Sequence, residues 1–300
     1  MALIPPEFFN CVAAIGSRNA HGYVKWIGTG TLFGRLFCKL SVRENQYHLF
    51  LVTNKHVLIG RSSVVVRFNP DNTQKARDYD IPLIHENGAP RWREHPKVDL
   101  AAIGVNAEVL DSEGINYGYF RTDQDLMTLR KMEVVGLSEG DFIYVLGFPM
   151  GIVDMNRQYV IARSGIIARL RDALEGHSSD FLIDALVFPG NSGGPVVNKP
   201  EIISIRGTRS VAQPTLVGLV SSYLSYKETA VSEQTGNARV IFEENSGLAA
   251  VIPADFVLEV VEDCFSNQSI KEQEKVSRRK CHDGENKSEK LFSITQNTSS

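Results

Sequence analysis

Nowhere do these 300 residues carry a run approaching the roughly 18 consecutive apolar side chains of a membrane-spanning helix. The opening stretch, Met1-Ala2-Leu3-Ile4-Pro5-Pro6-Glu7, lacks a basic segment followed by an apolar one. No secretory leader is read there, and the cytoplasm is the expected compartment. Cysteine is scarce: Cys11, Cys38, Cys264 and Cys281, none at C-x-x-C spacing. That argues against a zinc site, and no metal or other cofactor is expected. A chain of this size does not need disulfide staples, so the four thiols are expected to be buried or idle. Charge of one sign is also lacking: 32 basic against 35 acidic residues leave a net charge of -3. The total therefore recruits neither nucleic acid nor an anionic membrane, and neither is expected as a partner.

What is present reads as an ordinary globular chain, 43% hydrophobic and 22% charged. Short apolar runs recur between glycine, proline and polar turns. Examples are Cys11 to Ile15, His48 to Thr53, Ser63 to Phe68, Leu100 to Val105, Phe142 to Leu146 and Val217 to Val220. Runs of this length, rich in β-branched and aromatic types, predict strands, and their number predicts an all-β sandwich or barrel. Two helices are predicted, over Thr122 to Arg130 and over Pro253 to Phe265. The second has Phe256, Val257, Val260, Val261 and Cys264 at helical spacing, with Asp255 in its first turn. Tyr223 to Gly247 is polar and turn-rich and reads as a long surface loop with a short strand at Ala238 to Phe242. Residues 266–300 are poor in apolar groups and read as a disordered tail, with Ser277-Arg278-Arg279-Lys280 a solvated basic cluster.

Three short segments carry chemistry. In Pro189-Gly190-Asn191-Ser192-Gly193-Gly194-Pro195 a serine stands among glycines, which allow a tight turn and close approach of a carbonyl to the backbone. In such a turn the amides of Gly190 and Ser192 can converge on the oxyanion of a tetrahedral intermediate. In Thr53-Asn54-Lys55-His56-Val57 a histidine follows a strand end and can supply the base that a serine hydroxyl needs. In Val98-Asp99-Leu100-Ala101-Ala102-Ile103 a carboxylate heads an apolar strand, where an imidazole N–H would be a suitable donor. Taken singly, each has a plain reading: a glycine-rich hairpin, a satisfied histidine, a strand-entry aspartate.

Taken together, in the order His56, Asp99, Ser192, these segments resemble the signature motifs of chymotrypsin-fold serine proteases. The bacterial group that includes the HtrA-type enzymes is the nearest flavour. Gly28 to Phe33, Gly140 to Pro149 and Ser246 to Pro253 are similar to further strands of that group, so the resemblance covers about residues 10–265. It implies two six-stranded antiparallel β-barrels, residues 8–125 and 126–265, the second closed by the C-terminal helix. The site would lie between them, and the substrate would be a polypeptide. It also implies a specificity pocket with Leu186 at its base, walls from Val187 and from Ser221, Ser222 and Tyr223, and a preference for small or medium apolar side chains. Residues Ser221 to Tyr223 would pair with the extended substrate as an added strand.

Two departures stand out. The position before the serine is Asn191, which cannot form the activating ion pair of secreted relatives, so no amino-terminal activation cut is expected. About 35 residues follow Phe265, too few for the PDZ domain that HtrA-type enzymes append. Three other readings compete. The G-x-S-x-G elbow of α/β-hydrolases needs its acid and histidine after the serine, and the only later histidine is His282 in the tail. A binding or sensor module on a protease fold would have no reason to keep all three groups. A latent effector protease would need an activating protein partner.

Overall fold

The computed structural model describes residues 4–39, 45–71, 74–201 and 211–267. The basic cluster at 277–280 and almost all of the expected tail lie outside the described residues.

The first half is built from β1 (Val12–Arg18), β2 (Val24–Lys39), β3 (Asn45–Thr53), β4 (Ser63–Pro70), β5 (Arg77–Pro82), β6 (Trp92–Glu94), β7 (Ala101–Val105) and the short β8 (Ile115–Asn116) and β9 (Phe120–Arg121). They form one curled sheet along the path β5-β4-β1-β2-β3-β7-β6, with β8 on β4 and β9 on β2. The apolar runs form its centre because both faces of β1 are covered: Val12 to Ile15 are all buried. Gly30 of β2 keeps the interior passable, since a Cβ there would press on Leu51 and Ile15.

The second half holds β10 (Phe142–Gly147), β11 (Ile161–Arg169), β12 (Phe181–Asp184), β13 (Pro195–Asn198), β14 (Leu216–Val231) and β15 (Ala238–Pro253). These six close into an antiparallel barrel in the order β10-β11-β12-β15-β14-β13. The chain is thus mostly β, with one closed six-stranded barrel and one curled half-barrel, instead of two closed barrels. The reason is local. Between β5 and β6 the gap is spanned by the isolated bridge Ile84–Pro90, with the Arg91 amide on the Leu83 carbonyl and the His85 amide on the Ala89 carbonyl (both 2.8 Å). Pro82 and Pro90 have no N–H to extend a ladder there.

Helices α1 (Pro6–Asn10), α2 (Lys55–Leu58), α3 (Ala107–Ser112), α4 (Leu129–Val135) and α5 (Arg171–Leu174) are short. The predicted C-terminal helix is α6 (Ala254–Asn267). Its Val257, Val260, Val261 and Cys264 join Phe33, Phe50 and Ala102 of the first half and Leu146, Val197 and Leu216 of the second in one buried cluster. The helix thus ties the halves together, rather than merely capping the second. Buried His95 extends the tie: its Nε2 lies 2.8 Å from Glu259 of α6, and its Nδ1 accepts the Lys97 and Val98 amides at 3.2 Å. This pins the loop that enters Asp99. No described helix is long and apolar enough to cross a membrane.

Three expectations are corrected. The helix predicted over Thr122 to Arg130 starts only at Leu129, because Thr128 caps it and Asp255 of α6 accepts the Leu129 amide at 2.8 Å. The expected loop Tyr223 to Gly247 is instead a two-stranded ribbon, the paired outer ends of β14 and β15. Cys11 and Cys264 are buried free thiols, but Cys38 is disulfide-bonded. It sits half-buried near the end of β2.

Candidate active site

Strand register brings the first two groups together. Thr53 of β3 pairs with Ala101 of β7. His56 lies three residues beyond Thr53 and Asp99 two before Ala101, so the two side chains emerge side by side. The turn is locked by Asn54, fully buried, whose Nδ2 donates to the Asp99 carbonyl at 2.6 Å. The His56 amide donates to Asp99 Oδ1 (3.2 Å), and His56 Nδ1 lies 2.6 Å from Asp99 Oδ2. Burial pushes the Asp99 carboxyl up. The His56 ring bond, the His56 charge and the His56 and Lys55 amides outweigh it and hold the group below its ordinary value. With Nδ1–H given to the carboxylate, the lone pair of Nε2 faces outward. There it meets Ser192 Oγ, 3.1 Å away.

Ser192 stands in the turn before β13. Gly190 has φ 101° and Gly193 φ 83°, both in the left-handed region that glycine alone enters freely. Gly194 is needed for another reason: a Cβ there would collide with the Leu146 carbonyl. Neither the Gly190 nor the Ser192 amide donates to any group among the described residues. Both are therefore unspent. Beside the turn, Met150 is the one described non-glycine residue at positive φ (56°), its amide held by the Pro189 carbonyl at 2.6 Å. Such strain persists only where neighbours over-determine it, and it clusters at functional sites.

Two residues that hold this turn were missed by sequence reasoning. Thr29 and Thr31 of β2 are fully buried. Thr29 Oγ1 donates to the Gly190 carbonyl (2.6 Å) and accepts the Phe148 amide (3.2 Å), while its own amide donates to the Ser192 carbonyl (2.9 Å). Thr31 Oγ1 donates to the Gly193 carbonyl at 2.8 Å. The first sheet thus grips the serine turn of the barrel across the cleft. The sequence shows only two threonines alternating with glycines at 28–31; that their hydroxyls face the serine turn is set by the fold. Thr29→Val keeps the shape and deletes the hydroxyl. It is expected to lower stability by about 1–3 kcal/mol in urea unfolding, since a buried carbonyl and amide lose their partner. A change below about 0.5 kcal/mol would show that the turn stands without it.

The residues expected around a specificity pocket are placed as follows. Ser221 lies at the site, its carbonyl 3.4 Å from Ser192 Oγ. Ser222 is exposed, and Tyr223 packs against the core of the barrel. Val187 is buried in that core, and Leu186 is 52% exposed. The backbone here is held by side chains that sequence reasoning did not single out. Arg163 Nη1 donates to the Leu186 carbonyl (2.7 Å), and Asn245 Nδ2 to the Val187 carbonyl (2.6 Å).

A serine hydroxyl facing a histidine that is oriented by a carboxylate, beside a turn with two free amides, is the equipment of acyl transfer. The profile of the trypsin-like peptidase domain matches residues 28–201, a span that contains all three groups. The match covers more than half of the chain, and the chain belongs to that family. No curated protein matches the sequence.

Proposed function

We propose that this protein is a serine endopeptidase acting through an acyl-enzyme. Ser192 attacks the peptide carbonyl, His56 takes the proton and returns it to the leaving amine, and Asp99 orients His56 and stabilises its charged form. The amides of Gly190 and Ser192 receive the oxyanion. One observation carries the reading: the unbroken sequence of contacts from Asp99 Oδ2 to His56 Nδ1 (2.6 Å) and from His56 Nε2 to Ser192 Oγ (3.1 Å). A sensor module would have no use for this alignment together with unspent amides. The chain reads as two units, 8–125 and 126–265, because no described strand of the first sheet pairs with the barrel. The site lies where they meet.

The specificity reading keeps a small or medium apolar side chain beside Ser192. Leu186 brings no carboxylate, and Tyr223 is expected to narrow the entrance of the pocket.

A fluorophosphonate probe tests the reading. Full-length protein is expected to be labelled, and Ser192→Ala to lose the label entirely. Labelling that persists in the variant would move the nucleophile elsewhere. A folded wild-type protein that is not labelled would favour the latent or binding reading.

A further inference from the structure

Beyond the barrel, β14 and β15 continue as a free ribbon. The pairing of β13 with β14 ends at Pro195–Leu219, and that of β12 with β15 at Asp184–Leu248. From Ser221 to Val231 the outer edge of β14 has no strand beside it among the described residues. This edge starts at the candidate site, where the Ser221 carbonyl meets Ser192 Oγ. One residue pair further on, the Leu224 carbonyl points the other way, into the ribbon, and accepts Ser246 Oγ at 2.7 Å. Backbone groups alternate along a strand. The odd-numbered residues, Tyr223, Ser225, Lys227 and Thr229, therefore turn their N–H and C=O toward the open edge, in phase with Ser221.

The ribbon's side chains add a second observation. Glu228 faces Phe242 and Ala230 faces Val240 across the pair. By the period of two, Leu224 and Tyr226 share that face. Tyr226, Val240 and Phe242 are each about half exposed (55%, 49% and 54%), and Leu224 is 37% exposed. A two-stranded ribbon of this kind is marginal alone, and natural proteins usually blunt an exposed edge with charge, proline or a cover. Here β14 carries Lys227 and Glu228 along the open edge, and the face with Leu224 and Tyr226 mixes exposed apolar groups with Glu228 and Glu244, Tyr226 Oη donating to Glu228 at 2.9 Å.

We propose that this ribbon is an extended binding edge for unfolded polypeptide. The stretch of substrate on the amino-terminal side of the cleaved bond adds antiparallel to β14, well past Tyr223 and out to about Thr229, with alternate side chains beside Leu224 and Tyr226. Every strand pair in the barrel is antiparallel, and an added strand continues that order. The inference rests on the peptidase reading for its direction: chain threading outward from Ser192 can reach the ribbon only along β14. It makes the preferred substrate a locally unfolded segment. Glu228, Glu233, Glu243 and Glu244 against Lys227 and Arg239 favour a neutral or basic one over an acidic one.

The test measures binding, so that it does not depend on turnover. Full-length Ser192→Ala protein is titrated, by fluorescence anisotropy, with fluorescein-labelled peptides of alternating Thr and Ala ending in a common Val-Ala-Ala segment. Lengthening the amino-terminal side from about four to about ten residues is expected to tighten binding at least tenfold, the equivalent of one or two added backbone hydrogen bonds and some apolar cover. Lengthening the carboxy-terminal side is expected to change little. The double substitution Lys227→Pro and Thr229→Pro removes only edge-facing N–H groups, which an edge strand tolerates. It is expected to abolish the length gain, and Tyr226→Asp to reduce it. Affinity independent of length, or a gain untouched by the prolines, overturns the proposal. So does a dimer in sedimentation that Tyr226→Asp dissociates without changing peptide affinity, which would assign the ribbon to a second copy. Failure of the peptidase reading shows separately, as wild-type protein that the fluorophosphonate does not label.

Discussion

Asp99→Asn is expected to lower kcat on a peptide substrate by about four orders of magnitude with little change in KM. The reason lies in which oxygen does what. Asp99 Oδ1 accepts the His56 amide at 3.2 Å, so an asparagine must place its own oxygen there. Its NH2 then faces His56 Nδ1, where Oδ2 now stands at 2.6 Å. A donor in that place forces the ring into the opposite tautomer, with a proton instead of a lone pair toward Ser192 Oγ. The fold should be kept, since the two side chains have the same shape, but at neutral pH the variant should be somewhat less stable, because it lacks the ionised carboxylate that the folded state favours. The acid range behaves differently. The folded-state value of Asp99 lies below its ordinary one, so its ionised form contributes stability above the unfolded value of about 4, and that contribution is lost as pH falls through the folded value. The stability gap between wild type and variant should therefore close on acidification. A kcat loss of less than about tenfold would remove Asp99 from its assigned role.

Gly190→Ala is expected to lower kcat by about a hundred- to a thousandfold. At φ 101° a Cβ at this position would overlap the Phe148 carbonyl and approach the Gly151 and Met150 amides at 3.0 and 3.3 Å. All of these are backbone atoms that cannot swing aside. The Gly190 carbonyl is meanwhile fixed by Thr29 Oγ1 at 2.6 Å. The turn must rearrange, and the free amide leaves its position. Gly176→Ala is the matched control: φ is 76° there too, but nothing lies within 4 Å of the new Cβ. That variant should show the cost of left-handed backbone alone, about 1 kcal/mol, with kcat intact. Equal kcat in both variants would mean that the Gly190 amide is not aimed at the reacting oxygen.

The ribbon, the half-barrel and the site show where sequence reading succeeds and where it stops. The central strands were legible because their apolar runs are buried on both faces, as at Val12 to Ile15. Helix α6 was legible from its spacing, whereas α4 was misplaced: its start is set by Asp255, more than a hundred residues away. The ribbon looked like a loop because both its faces meet solvent, so the alternation that betrays a strand is diluted by charge and threonine. Pro82 and Pro90 were legible, but that they stand in the gap between the two edges of the first sheet is decided by which strands the fold brings to those edges.

By itself the sequence determined the chemistry on offer and its order along the chain. A serine among three glycines, a histidine at a strand end and an aspartate at a strand head are written in residue types and local conformational needs. Only the tertiary structure decided that these groups meet. The register of Thr53 on Ala101 sets His56 beside Asp99, and two threonine hydroxyls of the first sheet hold the serine turn of the second half in place. Local conformation follows from neighbours in the chain, and sequence carries it openly. Register and hydrogen bonds across the cleft depend on packing between residues far apart in the chain, and these become visible only when the chain is folded.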